Sequence, residues 1–313
     1  MPIHVAAAAI LDNLGRVLIS KRADHLHQGG LWEFPGGKVE AGESVRQALV
    51  RELKEELDIL PLDIKPLIRI QHNYGDRQVL LDFFRVTRFE GEAKGLEGQP
   101  LRWLQPEEMQ AESFPAADRP VITALQLPDR YLITGREPTQ PEDFLRRLDL
   151  ALTNGLRLVQ LRAHALDDAA YKHLLNAASP LCERYNAKLL VNRPSGCVRW
   201  LGMADGIHLT ANQMVALDAR PSGKGLIGAS CHTRKELEQA SQLRLDYVFL
   251  SPVAPTATHP NTAALGWGKF SDWVENVNLP VYALGGMHPN MLGQASQAGA
   301  QGIAAIRSLW PEG

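Results

Sequence analysis

At 313 residues the chain exceeds one typical domain and suits two, while 45% hydrophobic and 22% charged residues are ordinary for a soluble globular protein. A formal net charge of -2 offers no basic surface for nucleic acid. Cys182, Cys197 and Cys231 lack metal-ligand spacing, and their odd number argues against a disulfide framework; they read as buried or incidental thiols in a reducing cytoplasm. The start, Met1-Pro2-Ile3-His4, carries no basic leader, and no apolar run nears the roughly 20 residues that span a bilayer, so a cytoplasmic protein without a membrane partner is expected.

Val5 to Ile10 and Val17 to Ser20 read as strands around the turn Asp12-Asn13-Leu14-Gly15. Trp32-Glu33-Phe34-Pro35 leads into Gly36-Gly37-Lys38-Val39-Glu40-Ala41-Gly42-Glu43. The stretch from Ser44 to Leu57 then predicts a helix, with Ser44 or Glu43 at its start and no Gly or Pro inside. At about 100° per residue, Leu49, Val50, Leu53 and Leu57 share the face expected to be buried. Glu52, Glu55 and Glu56 lie at i, i+3 and i+4 on another face. Like charges at that spacing repel unless a cation sits against them, and clustered hard oxygen ligands suit Mg²⁺ or Mn²⁺. A solvated acidic face is the bland alternative; the Gly-Gly loop just before the helix argues against it. Further strands are expected at Val79 to Val86 and Leu101 to Leu104, and a last helix from Phe114-Pro115 towards Leu127. Helices do not alternate regularly with strands here, which predicts an α+β sandwich.

Gly37, five residues, Glu43, seven residues, Arg51-Glu52-Leu53, Glu55-Glu56 and Asp58-Ile59 together resemble the Nudix box. Trp32 to Glu43, Glu97-Gly98-Gln99-Pro100 and Phe114 to Ile122 extend the resemblance to the 8-oxo-dGTP diphosphatases of MutT type, across residues 1–127. The resemblance implies a metal, Mg²⁺ or Mn²⁺, held by the Gly37 carbonyl, Glu52 and Glu56. Glu55 would be a further ligand or would orient one, and Glu97 would be a ligand or the general base. Arg22 would hold triphosphate oxygens, and Glu33, Phe34 and Asp118 would belong to the substrate-binding set. Two positions depart from the family. Asp58 stands where a Gly ends the helix, a change expected to cost stability rather than activity. Asp118 stands where an Asn reads the oxidised base, and this one touches specificity.

Gln126-Leu127-Pro128-Asp129-Arg130 reads as a linker, so domains are expected at 1–127 and 128–313. Beyond it, eight short apolar segments alternate with helical stretches: Tyr131 to Thr134, Leu158 to Arg162, Lys188 to Asn192, Gly206 to Leu209, Leu226 to Ser230, Tyr247 to Ser251, Val281 to Gly286 and Gly302 to Ile306. That pattern predicts a parallel (β/α)8 TIM-type barrel, in preference to an open doubly wound sheet, because no dinucleotide-type glycine fingerprint follows the first strand. Polar residues at strand ends are where a barrel keeps its chemistry: Arg162, Asn192, His208, Ser230, Ser251 and Gly285-Gly286.

Gln160-Leu161-Arg162, Asp205 to Leu209, Ile227 to Thr233, Asp246 to Val253 and Ala283 to Gly286 resemble the thiamine phosphate synthases and their TenI-type relatives, the thiazole tautomerases, across residues 130–310. The diphosphate-handling positions depart from that family. Its Arg-Glu-Lys reads Arg162-Ala163-His164, its Asn-Asp reads Asn192-Arg193, no second Asp stands near Thr210-Ala211-Asn212, and a further Lys reads His259-Pro260. What survives is a phosphate cup at Gly285, Gly286 and Ile306-Arg307-Ser308, together with Arg162 and His232. His232 would be an acid–base residue of the tautomerase kind, although a lone His after a strand is more often structural.

The leading expectation is therefore a Mg²⁺-dependent nucleoside triphosphate pyrophosphohydrolase, acting on 8-oxo-dGTP in nucleotide-pool sanitation. The barrel would have degenerate thiamine-synthase character and take a phosphorylated small ligand. Alternatives are a hydrolase of a thiamine-pathway diphosphate, and a hydrolase carrying a non-catalytic ligand-sensing barrel.

Overall fold

The computed structural model describes residues 2–25, 27–135, 141–256 and 263–311. The chain divides into two compact units, Met1–Gln126 with Glu275–Asn278, and Leu127–Val274 with Leu279–Gly313.

The first unit runs β1 (Ile3–Leu11), β2 (Val17–Lys21), β3 (Trp32–Glu33), β4 (Gly36–Lys38), α1 (Val45–Leu57), β5 (Leu60–Asn73), β6 (Gln78–Glu90), β7 (Leu101–Leu104) and α2 (Arg119–Gln126). Its sheet has the order β3-β2-β1-β6-β5, with β4 also on β1 and β7 also on β2. Strand β1 is central and pairs in parallel with β6. Its pleat sends successive side chains to opposite faces. Ala6, Ala8 and Ile10 pack with Leu49, Leu53 and Leu57 of α1, whereas Ala7 and Ala9 join Phe34, Phe83, Val121 and Ile122 on the α2 side. The result is the expected α+β sandwich, with a helix on each face. Leu49, Leu53 and Leu57 are fully buried, worth about 1.5–3 kcal/mol each. Ala48 completes that face, and Val50 lies half-buried at its edge instead of within it.

Ser44 is the N-cap of α1: its Oγ accepts from the Gln47 N–H at 3.3 Å, while Gln47 Oε1 accepts from the Ser44 N–H at 2.8 Å. At the other end Asp58 adopts the left-handed conformation, φ 58°, that the family's Gly would take. The sequence reading assigns no strand between Ile59 and Val79, yet β5 spans 14 residues there. Its prolines obscured the pattern. Pro61 and Pro66 both sit at register shifts against β6, on a strand at the sheet's end where a missing N–H is tolerated.

The second unit runs β8 (Arg130–Ile133), α3 (Pro141–Thr153), β9 (Leu158–Arg162), α4 (Asp168–Arg184), β10 (Lys188–Asn192), β11 (Gly206–Leu209), α5 (Ala211–Val215), β12 (Leu226–Cys231), α6 (Arg234–Gln242), β13 (Tyr247–Leu250), α7 (Gly266–Val274), β14 (Val281–Leu284), α8 (Leu292–Gln297) and β15 (Gly302–Ala305). Its strands close into a barrel, β8 pairing with both β9 and β15. Tyr131, Leu158, Leu190, Tyr247, Phe249 and Tyr282 fill the interior, so it is a packed core and not a pore. All three cysteines are buried, as expected. No helix among the described residues is long and apolar enough to cross a membrane.

Candidate functional sites

In the first unit the box is assembled by backbone close approach. Gly36 and Gly37 lie in β4, opposite Ala7 and Ala6 of β1. A Cβ on Gly37 would come within 2.2 Å of the Glu52 carboxyl, so that carboxylate rests directly on the glycine. One turn on, Glu56 Oε2 accepts from the Gly36 N–H at 3.1 Å. Arg51 of the same helix lies against part of the acidic face. It contacts Glu52 at 2.9 Å, Glu55 at 3.1 Å and Glu43 at 2.7 Å, and donates to the Lys38 carbonyl at 3.0 Å. Arg51 thus ties the glycine loop to the helix, a role its place in the motif did not reveal.

Glu97 is exposed on the loop before β7, which is stitched to the end of α1. Leu96 N–H and Gln99 Nε2 both donate to the Glu56 carbonyl, at 3.0 and 3.2 Å, and Lys94 N–H donates to that of Leu57 at 3.0 Å. These bonds satisfy carbonyls that the helix end leaves open. Burial pushes the Glu56 carboxyl up to about 8, against the Gly36 N–H, with the negative charges of Glu33, Glu52 and Glu97 adding to the rise. Excess carboxylate charge around a backbone cradle fits a divalent cation. Among the described residues no three His, Cys, Asp or Glu side chains are gathered in one group. Arg51 holds Glu52 and the Gly36 N–H holds Glu56, while Glu97 is exposed on its loop.

Beside the box lies a cavity of about 270 Å³ lined by Arg22, Glu33, Phe34, Gly36, Gly37 and Asp118, among others. Five expected residues, Arg22, Glu33, Phe34, Gly37 and Asp118, therefore meet around one space. Arg22 is not open to it as a lone cation: it pairs with Glu33, and its Nε donates to the His27 carbonyl at 3.1 Å. Burial raises the Glu33 carboxyl, with Arg22 opposing and Glu97 adding. Asp118, at the end of a 3₁₀ turn (Ala116–Asp118), is buried, and its carboxyl is pushed up to about 8 by desolvation and then by Glu33, against the pull of Arg22. His27, Tyr74, Arg77 and Phe83 also line the cavity. Sequence reasoning assigned none of these four to the site; Tyr74 and Arg77 lie on the turn between β5 and β6, which is identified only once β5 is known.

In the second unit Arg162 ends β9, half-buried. His164 Nε2 lies 2.7 Å from Asn192 Oδ1, and Asn192 Nδ2 donates to the His208 carbonyl at 2.8 Å. Arg193, standing at the family's acidic position, turns towards α4. It donates to the Ala163 carbonyl at 2.9 Å, reaches Asp168 at 3.2 Å and lies 4.6 Å over the Tyr171 ring. Its charge is thereby spent within the wall of the barrel. Gly285 and Gly286 have φ of 95° and 67°, and a Cβ on either would clash, with Pro252 at 2.8 Å or the Pro255 carbonyl at 2.6 Å. The Ser308 hydroxyl donates to the Met287 carbonyl at 2.7 Å. The Nδ1 of exposed His232 lies 3.0 Å from the Ser251 carbonyl oxygen and 3.2 Å from the Ser251 hydroxyl. His259 lies outside the described residues.

Comparison with known proteins accords with both sites. The NUDIX domain model matches residues 6–124, and the model described as thiamine monophosphate synthase matches residues 130–309. The 8-oxo-dGTP diphosphatase of Escherichia coli is 39% identical over 124 residues, covering 40% of this chain and 96% of that protein. The chain joins a Nudix hydrolase to a barrel of the thiamine monophosphate synthase family. Two further relatives bracket the Nudix hydrolase and its barrel. The CTP pyrophosphohydrolase of Escherichia coli is 41% identical over 117 residues, covering 37% of this chain and 87% of that protein. A putative thiamine-phosphate synthase of Aquifex aeolicus is 33% identical over 183 residues, covering 58% of this chain and 97% of that protein. Nudix pyrophosphohydrolase character of MutT type is thus a property of the first unit.

Proposed function

We propose that the Nudix unit hydrolyses 8-oxo-dGTP to 8-oxo-dGMP and pyrophosphate with Mg²⁺. The observation that carries this reading is the single cavity in which Asp118 and Phe34 share walls with Gly37 of the box. A base held by Asp118 then has its phosphates directed to the acidic helix face. Glu52, Glu56 and the Gly37 carbonyl would hold the metal, with Glu97 moving in from its loop. Bound there, the metal neutralises phosphate charge and lowers the pKa of water. Water attacks the β-phosphorus, the bond to the α,β-bridging oxygen breaks, and Glu97 accepts the water proton. Arg22, oriented by Glu33 and the His27 carbonyl, steadies phosphate oxygens. Arg51 keeps Glu52 and the glycine loop in register.

Asp118 reads the base in its protonated form. A carboxylic acid offers one donor and one acceptor, as the family's Asn does, and so matches O6 and N7–H of 8-oxoguanine. In the barrel, Gly285, Gly286, Arg162 and Ser308 would receive a phosphorylated small molecule. The altered Ala163-His164 and Arg193 positions argue against a Mg²⁺-diphosphate substrate, hence against thiamine phosphate synthesis. The exposed imidazole of His232, just past the end of β12, favours, as a second reading, acid–base chemistry of the tautomerase kind.

The test is a hydrolysis screen of the full chain with Mg²⁺ against 8-oxo-dGTP, 8-oxo-dATP, dGTP, CTP and thiamine-pathway diphosphates, with products resolved. The highest kcat/KM is expected for 8-oxo-dGTP, with monophosphate and pyrophosphate as products. A thiamine-pathway diphosphate or CTP ranking first, or release of inorganic phosphate, would overturn the reading.

A further inference from the structure

The turn that closes β5 and β6 carries a tyrosine to which neither proposed reading gives a role. Tyr74 N–H donates to the Arg77 carbonyl at 2.9 Å and Gly75 N–H donates to Asn73 Oδ1 at 2.8 Å, so the turn is pinned at both ends. The half-buried Tyr74 side chain packs against the core that contains Phe34, Phe114 and Ala117, and it lines the cavity shared by Asp118 and Phe34. His27 and His72 meet its ring in T-shaped contacts, with centroids 5.0 and 4.4 Å away, which fixes the direction of the ring.

The hydroxyl is fixed as well. The Ala117 N–H, one residue before Asp118, is turned to the phenol oxygen, and Asp118 and Arg22 both act on that oxygen electrostatically. Burial first, and then Asp118 when ionised, raise the phenol above its usual 10, so it keeps its proton at neutral pH. With Ala117 engaging the oxygen, the hydroxyl presents its proton, and no hydrogen bond among the described residues takes it.

Its place between Asp118 and Arg22 decides what that proton meets. Asp118 reads O6 and N7–H of the oxidised purine, and Arg22 steadies phosphate oxygens. Along that edge of the base the order is O6, N7, C8, and then N9 with the sugar and phosphates. A hydroxyl within reach of both ends faces the atom between them, C8. There an oxidised purine carries a carbonyl oxygen, O8, and a normal purine carries only C–H.

We infer that the Tyr74 hydroxyl is the donor that reads O8 and so separates oxidised from normal purine nucleotides, whereas Asp118 separates guanine from adenine. The inference rests on the reading of this cavity as an 8-oxopurine nucleotide site. A normal purine leaves the Tyr74 proton unmet against C8–H, a mismatch that disfavours it by about tenfold or more.

The test is kcat/KM of the full chain with Mg²⁺ for 8-oxo-dGTP, dGTP, 8-oxo-dATP and dATP, in the wild type and in Tyr74→Phe. The substitution keeps the ring and its contacts with His27 and His72, and any cost of releasing the Ala117 N–H falls on all four substrates alike. The ratio of 8-oxo-dGTP to dGTP should fall about tenfold, and that of 8-oxo-dATP to dATP by the same factor. The ratio of 8-oxo-dGTP to 8-oxo-dATP should hold at fixed pH. An equal loss on all four nucleotides would make Tyr74 a structural residue, and a shift in the guanine-to-adenine ratio alone would make it a support of Asp118. Either outcome, or wild-type ratios in the variant, overturns the inference. A wild type that does not prefer 8-oxo-dGTP to dGTP overturns the reading of the cavity as well; with that preference present, only the role of Tyr74 is at stake.

Discussion

Titrating Asp118 should change which oxidised purine the Nudix unit prefers. Its carboxyl is pushed from the usual 3.8 to about 8 by burial and then by Glu33, so the protonated form predominates near pH 7. Protonated, the side chain donates to O6 and accepts from N7–H of 8-oxoguanine. Ionised, it only accepts, and O6 faces a like-charged partner at a cost of about 1–3 kcal/mol, or roughly 5- to 150-fold in kcat/KM. 8-Oxoadenine offers two donors, its amino group and N7–H, and suits the ionised form. The ratio of kcat/KM for 8-oxo-dGTP over 8-oxo-dATP is therefore expected to fall as pH rises from 7 to 9. Effects of pH on the catalytic carboxylates act on both substrates and cancel in that ratio. Asp118→Asn should give a higher ratio that does not vary with pH. A flat wild-type ratio, or an identical slope in Asp118→Asn, would refute the assignment of Asp118 to the base. Stability carries the same signature. The folded value is raised, so the contribution of Asp118 is fully present below 3.8 and is lost as pH rises through about 8. Asp118→Asn should accordingly melt above the wild type at pH 9, with the difference closing towards acidic pH.

Glu52→Gln and Glu56→Gln should each lower turnover by orders of magnitude while leaving the circular dichroism unchanged, since removing one of several repelling carboxylates does not weaken the fold; near-wild-type turnover of Glu56→Gln at saturating Mg²⁺ would sink the metal assignment. Gly37→Ala forces the Glu52 carboxyl away from a Cβ that would stand 2.2 Å from it, and about a hundredfold loss of kcat/KM is expected with α1 intact by hydrogen exchange. Asp58 holds φ 58°, so Asp58→Val should melt below Asp58→Gly, with kcat/KM equal in both. The full chain should form no thiamine phosphate from the pyrimidine diphosphate and thiazole phosphate; turnover at the rate of a working synthase would show that Arg193 and His164 do not disable the barrel.

Local pattern sufficed wherever a feature depends on neighbours in the chain. The Gly37-to-Ile59 spacing, the Ser44 cap and the buried Leu49-Leu53-Leu57 stripe are all properties of one segment, and the structure keeps them. The barrel strands were legible for the same reason: each is a short apolar run between turns, and β9, β10 and β11 begin and end where expected. Strand β5 was not legible, because Pro61 and Pro66 break the alternation and only its place at the sheet's edge makes them tolerable. Charge and protonation belonged to tertiary structure throughout. Arg193 looked like a cation in the barrel mouth until its partner proved to be Asp168, and Arg22 looked free until it met Glu33. Asp118 is an ordinary carboxylate in sequence. Burial beside Glu33 makes it an acid, since desolvation and a neighbouring charge are set by residues distant in the chain.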